Sequence, residues 1–197
     1  GQSMSEPERY FRNNVTGTLH LLEAMRAARV QALVFSSTAA VYGNPASTPI
    51  SEDQVQQPIN PYGWSKLMAE RMIGEQCRAY GLSAACLRYF NAAGADPDGQ
   101  TGEAHDPETH LIPNVLRAAM TPDGEVTVFG TDYATSDGTC VRDYVHVDDL
   151  CRAHLLALEH ARRAGGFHVF NLGSGQGYSV AEVLAQARSL CNGRPAA

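Results

Sequence analysis

The spacing of apolar residues along this chain changes several times, and each change predicts an element. Between residues 7 and 29, Leu19, Leu22, Met25 and Ala28 recur at helical spacing, which predicts a helix with one buried face. "ALVFSS", Ala32 to Ser37, is instead a short unbroken apolar run ending in hydroxyls. Such a run predicts a strand buried on both faces of a parallel sheet. Helical spacing returns in "NPYGWSKLMAERMIGEQCRAYG", with Asn60 placed to cap, Pro61 at the first position and Gly81 just past the end. "LSAACLRYFN" then predicts a second strand. Helix alternating with strand is the pattern of an α/β parallel sheet.

Near Ala92 the texture changes. Residues 92–110 are rich in Gly, Asp and Pro, which predicts a long surface connection. Beyond it the pattern predicts a helix over about Leu111 to Ala119, a strand in "EVTVFG" and a polar loop in "TDYATSDGTC". "VRDYVHVDDL" leads into another helix, "FHVFNLG" is strand-like, and a final helix follows Ser179. A soft boundary here separates a sheet domain, residues 1–91, from a smaller loop-rich lobe, residues 92–197, parts of which return to the sheet domain.

Composition narrows the function classes. With 197 residues and 44% apolar content the chain reads as globular, and no stretch approaches the length of a membrane span. A net charge of -6 without a Lys/Arg run argues against a nucleic-acid surface. Cys77, Cys86, Cys140, Cys151 and Cys191 are scattered, without a CxxC, and odd in number, which favours reduced thiols and a cytoplasmic setting. "GQSMSEPERYFRNNV" has neither the basic nor the apolar region of a signal peptide. Together with "LCNGRPAA" it reads as one of two cuts through a larger protein.

The chemistry concentrates around "NPYGWSK". Tyr62 and Lys66 are four residues apart on a predicted helix and so share a face. A free phenol, with a pKa near ~10, is too weak an acid to serve as a base at neutral pH. A neighbouring ammonium favours the phenolate, and the pair could then take a proton from an alcohol. The plainer reading is a packed tyrosine with a lysine reaching to water. What shifts the balance is Ser36, Ser37 and Thr38 at the end of a buried strand, where catalytic groups of open α/β sheets gather. Hydroxyls in such a place also serve simply to satisfy turn backbone.

These pieces together resemble the extended short-chain dehydrogenase/reductase family. "NNVTGT", "FSSTAAVYG", "PYGWSK" and "LRYFNAAG" stand in that family's order. "FNAAGADPDGQTGEAHDPETHLIP", "VFGTDYATSDGTCVRDYVHVDDL" and "FNLGSGQGYSV" are similar to its UDP-hexose 4-epimerases. The resemblance implies a partial Rossmann-like parallel sheet that binds NAD, plus part of a substrate lobe that binds UDP-galactose and UDP-glucose. It implies Tyr62 as acid/base at the sugar C4 hydroxyl, with Thr38 beside it in a place where serine is usual. Lys66 would hold the nicotinamide ribose and lower the Tyr62 pKa. Asn13 and Tyr89 would touch NAD, and Ser36 would lie next to it. Asn91, His110, Leu111, Phe129 and Arg142 would hold the UDP-sugar, with Arg142 on the diphosphate. His110 departs from the family's frequent asparagine, and Trp64 stands where lysine is common. A homodimer through residues 7–29 and 61–80 is also implied.

The resemblance leaves several points open. The family's glycine-rich NAD turn does not appear. "NLGSGQGYS" has Gly173, Gly175 and Gly177 at the wrong spacing, and it reads as a loop with a helix start capped by Ser179. The chain would then begin after the first strands of the nucleotide domain and stop before the end of the sugar lobe. A 4,6-dehydratase would carry an Asp-Glu pair directly after Thr38, where this chain has Ala39-Ala40. An epimerase of another UDP-sugar, a non-catalytic binding module and an inert piece are the remaining readings. "HVDDLCRAH" and "HDPETH" carry metal-ligand residue types without an established spacing. No metal is expected, and Asp148 or Asp149 is expected to cap the helix that follows.

Overall fold

The computed structural model describes residues 1–191. In chain order its elements are α1 (Gln2–Ser5), α2 (Pro7–Tyr10), a π-helical stretch (Phe11–Thr16), α3 (Gly17–Ala27), β1 (Ala32–Thr38), a 3-10 turn (Ala39–Tyr42), α4 (Pro61–Tyr80), β2 (Ser83–Tyr89), β3 (Asn91–Ala93), α5 (Leu111–Met120), β4 (Val141–His146), α6 (Val147–Ala164), β5 (Phe167–Leu172), β6 (Gly177–Ser179) and α7 (Val180–Leu190). They fall into two compact units. One comprises Gly1–Phe90 with Asp149–Leu172, and the other Asn91–Asp148 with the segment from Gly173.

The first unit is built on a parallel sheet in the order β1-β2-β5. β2 shows why its sequence is an apolar run rather than an alternation. Ala84 and Cys86 join Leu22, Met25, Ile73 and Cys77 in one cluster, against α3 and α4. Ala85 and Leu87 meet Ala157 and Ala161 of α6 in another. Successive side chains of a strand point to opposite faces, and helices cover both. α4 starts and stops as its sequence predicts. Asn60 Oδ1 accepts the Gly63 N–H at 2.8 Å, and Gly81 closes the helix at φ 71°, a conformation that favours glycine.

In the second unit β4 pairs parallel with β3 and antiparallel with β6. Val115, Leu184 and Ala187 bring α5 and α7 together, and Ser179 starts α7 in a reciprocal capping box with Glu182. The expected strand "EVTVFG" does not form a ladder among the described residues. Val126 and Val128 do pack inward on the α5–α7 cluster. The alternation encodes burial against helices, and among the described residues only Glu125 of this segment takes part in a bridge. Residues 94–110 have no regular structure, in line with the expected connection. No described helix is long and apolar enough to cross a membrane.

Candidate active site

Thr38 ends β1 and is 7% exposed. Its Oγ1 accepts the Ala40 N–H at 3.1 Å, capping the 3-10 turn, and the side chain lies close enough to the Tyr62 phenol to lower its pKa. Tyr62 reaches this point because the first turn of α4 docks tightly on that turn. A Cβ on Gly63 would lie 2.7 Å from the Ala40 carbonyl oxygen, so a larger residue would push the helix away. The Tyr62 ring meets Tyr10 edge-on, with centroids 6.1 Å apart.

One helical turn on, the Lys66 ammonium donates to the Ser36 carbonyl at 3.0 Å and lies over the Phe35 ring at 4.9 Å. Tyr89 ends β2 opposite Thr38 in the ladder. Ser36, Thr38, Tyr62, Lys66 and Tyr89 thus gather around the carboxyl ends of two neighbouring strands. Asn13 lies on the π-helical stretch, faces solvent and donates to Asn14 Oδ1 at 3.1 Å. It borders a hollow of about 660 Å³ shared with Arg12, Thr16 and His20. Asn14 Nδ2 in turn donates to Ser65 Oγ at 2.9 Å, tying this stretch to α4.

Burial sets the electrostatics here. It pushes the Tyr62 phenol above its ordinary value; the Thr38 hydrogen bond pulls it down, and Tyr89 and Tyr10 add to the rise. Burial also lowers the Lys66 ammonium. Desolvation is the largest influence on the phenol, and the Lys66 ammonium, expected to lower it, is seated on the Ser36 carbonyl. As folded, Tyr62 is a proton donor at neutral pH.

A buried polar network backs this corner. Ser37 donates to Glu70, which pairs with Arg88 at 2.6 Å, the two side chains being 2% and 3% exposed. Arg88 also donates to the Tyr42 hydroxyl at 2.8 Å, and that hydroxyl donates to Asn171 Oδ1 at 2.7 Å. Five elements, β1, the 3-10 turn, α4, β2 and β5, are tied by one connected set of bonds.

The expected sugar-nucleotide residues belong to the second unit. Asn91, on β3, donates to the Asp143 carbonyl at 2.8 Å, and Arg142, on the adjacent β4, donates to the Val141 carbonyl at 2.9 Å. His110 precedes α5 and Leu111 opens it. Phe129 lies in a loop and is 85% exposed. The structure brings Asn91 and Arg142 onto neighbouring strands, whereas the His110–Leu111 pair and Phe129 sit on separate segments.

Two sequence features find local explanations. The Asp143 carboxylate accepts the Ser174 N–H at 2.8 Å and the Gly175 N–H at 3.2 Å, so the donors of the glycine-rich loop are taken by a carboxylate of their own unit. Ligand atoms of His105, Glu108 and His110 lie within 4.8 Å of one another. Glu108 Oε1 already accepts the Thr109 and His110 N–H groups at 2.7 and 2.8 Å, and lies 2.9 Å from His110 Nδ1. These contacts hold its carboxyl below the usual range. The helix-capping expectation for Asp148 or Asp149 is corrected. Both fall inside the first turn of α6, and His146 Nδ1 accepts the Asp148 N–H at 3.2 Å.

Residues 1–173 match the family described as NAD dependent epimerase/dehydratase. The chain belongs to that family. A UDP-glucose 4-epimerase of Lactobacillus helveticus is 52% identical over 189 residues, covering 96% of this chain and 57% of that protein. The crystal structure of the UDP-glucose 4-epimerase of Brucella ovis in complex with NAD matches 96% of this chain and 58% of its own, at 52% identity and a TM-score of 0.92. The Bifidobacterium longum enzyme in complex with NAD+ and UDP matches 100% of this chain and 60% of its own, at 39% identity and a TM-score of 0.93. The chain thus spans less than two thirds of the length of these relatives.

Within this family setting, two features escape a motif-by-motif reading. His154, on α6, lies with its Nε2 3.0 Å from Ser36 Oγ, joining the corner from a distant part of the chain. The other was visible in the sequence. Lys and Arg together number 15, and Lys66 is the only lysine among them. A chain that uses arginine for every other strong cation keeps lysine where a compact, titratable ammonium is required.

Proposed function

We propose that this chain carries the acid/base centre of a UDP-glucose 4-epimerase that interconverts UDP-galactose and UDP-glucose. The observation that carries the reading is the joining of Thr38, Tyr62 and Lys66 at the ends of adjacent strands. Lys66, Asn13, Ser36, Tyr62 and Tyr89 would hold NAD, and the ammonium of Lys66 and the phenol of Tyr89 at the strand ends suit its ribose hydroxyls. NAD supplies, when bound, a reversible hydride acceptor for C4 and a positive charge beside Tyr62. Such a charge favours the phenolate and offsets the effect of burial, which fits Tyr62 to accept the C4 hydroxyl proton. Thr38 orients that proton through its bond to the phenol. Tyr62 then returns that proton to the C4 oxygen of the 4-keto sugar, and the hydride that NAD would hold would go back to the opposite face of C4, so no net redox occurs.

Asn91, His110, Leu111, Phe129 and Arg142 would bind the UDP-sugar in the second unit, which we read as the substrate lobe. The guanidinium of Arg142 suits a diphosphate. The dehydratase alternative calls for carboxylates where the 3-10 turn has Ala39 and Ala40. A homodimer in the cytoplasm completes the reading. It is supported by the exposed Leu19 and Leu21 of α3 and Trp64 and Met68 of α4, and by five free thiols. The test is conversion of UDP-galactose to UDP-glucose with NAD supplied and no reductant. Turnover that drops at least a hundredfold in Tyr62→Phe is the expected result. Protein that binds NAD and leaves UDP-galactose unchanged would overturn the substrate assignment.

A further inference from the structure

Lys66 depends on a residue of "HVDDLCRAH" to which no role has been given above. Its ammonium sits on the Ser36 carbonyl at 3.0 Å, and the hydroxyl of the same serine lies 3.0 Å from His154 Nε2. On the far side of the ring, His154 Nδ1 is 2.7 Å from the Leu150 carbonyl, one turn back along α6. A carbonyl only accepts, so Nδ1 carries the proton, and in that tautomer Nε2 is the acceptor that faces Ser36. Ser36 must then donate to His154, which points its one hydroxyl hydrogen at the imidazole and away from the ammonium. The tautomer set in α6 thereby fixes the serine rotor at the end of β1, beneath the ammonium. The Tyr89 ring, 6.4 Å from the imidazole, closes the other side.

We propose that His154 is a positioning residue, which holds Ser36 so that its carbonyl seats the Lys66 ammonium. This rests on the reading of Lys66 as part of the acid/base centre. Titratable groups around the corner are Tyr62 on α4, Tyr10 on α2, Tyr89 on β2 and His154 itself on α6. None of the other three receives the Ser36 hydroxyl. The role belongs to the acceptor at Nε2, so substitutions that keep an acceptor there should preserve it.

The single lysine makes the test direct. Isotopically labelled lysine gives one side-chain resonance, and its protonation midpoint reads the seating of Lys66 without any need for turnover. His154→Phe, which keeps the ring and removes the acceptor, should lower that midpoint by about half a pH unit as the ammonium loses part of a charge-assisted bond. Ser36→Ala should do the same, and His154→Gln, which can still accept from Ser36, should restore the wild-type midpoint. An unchanged midpoint in folded His154→Phe and in Ser36→Ala overturns the proposal. So does a shift in His154→Gln equal to that in His154→Phe, because packing alone would then be responsible. If His154→Phe does not fold, Ser36→Ala decides, since it leaves the ring in place. A failed sugar assay leaves this measurement standing, so the two readings fail separately.

Discussion

The strand ends of the first unit and the loops of the second present their candidate residues in opposite ways. Around Thr38, Tyr62 and Lys66 each side chain is at least half-buried and bonded to a neighbour, and the Ser37–Glu70–Arg88–Tyr42 network stands behind them. In the second unit Arg142 and His110 are exposed, and Phe129 makes its apolar surface available to water. Groups that must hold a proton in place benefit from fixed surroundings, since pre-set dipoles need no rearrangement during reaction. Groups that grip a nucleotide can gain their order from the ligand. The difference teaches that the same chain invests its buried polar bonds where chemistry is proposed and leaves recognition to exposed side chains.

The largest expected effect tests the buried side of this comparison. Glu70→Ala leaves Arg88 as an uncompensated charge in the core, and removal of one partner of such a pair costs about 3–5 kcal/mol. Urea unfolding would measure it, and a loss under about 1 kcal/mol would mean that water already reaches the guanidinium.

A smaller effect concerns pH. The folded pKa of Lys66 lies below its unfolded value, so its contribution is favourable above about pH 10.4 and is lost as pH falls. At neutral pH the charged lysine therefore weakens the fold. Lys66→Met should raise the melting temperature at pH 7, with a gain that shrinks toward pH 10. Tyr62 has the opposite sign: its raised phenol favours the fold below about pH 10, a contribution lost as pH rises through the folded value. A Lys66→Met melt that is lower at neutral pH than at alkaline pH by as much as wild type would contradict the assignment of burial as the cause.

The smallest effect belongs to the open side. Phe129→Ala should change stability by less than about 0.5 kcal/mol, because the ring is almost fully solvated. Under the proposed function it should still weaken UDP-sugar binding, seen as a higher KM at little altered kcat. A stability loss above about 1 kcal/mol would place the ring in a packed site instead.

Much of the first unit was legible because local chemistry and packing agree there. Asn60, Pro61 and Gly81 mark α4 from outside to end, and the unbroken apolar runs become strands covered on both faces. In "EVTVFG" alternation reports which side chains are buried, Val126 and Val128, and among the described residues only Glu125 joins a bridge. Asp148 was misread because helix N-caps favour aspartate in general, while here a histidine one residue outside the helix already occupies the donor. Within the candidate site, the i, i+4 spacing of Tyr62 and Lys66 was plain. The seating of the lysine on Ser36, and of Ser36 on His154, joins residues 118 positions apart and leaves no periodic trace.

The π-helical stretch at Phe11–Thr16 has a consequence of its own. A π turn holds about one residue more than an α turn, so it is what remains when a helix accepts a single insertion without breaking. Deleting one residue there would restore regular winding and turn α2 by about 100° relative to α3. Asn13 would leave its hollow and Asn14 would lose Ser65. The orientation of two asparagines thus hangs on chain length counted to the residue, and an alignment gap in this helix carries more meaning than a substitution.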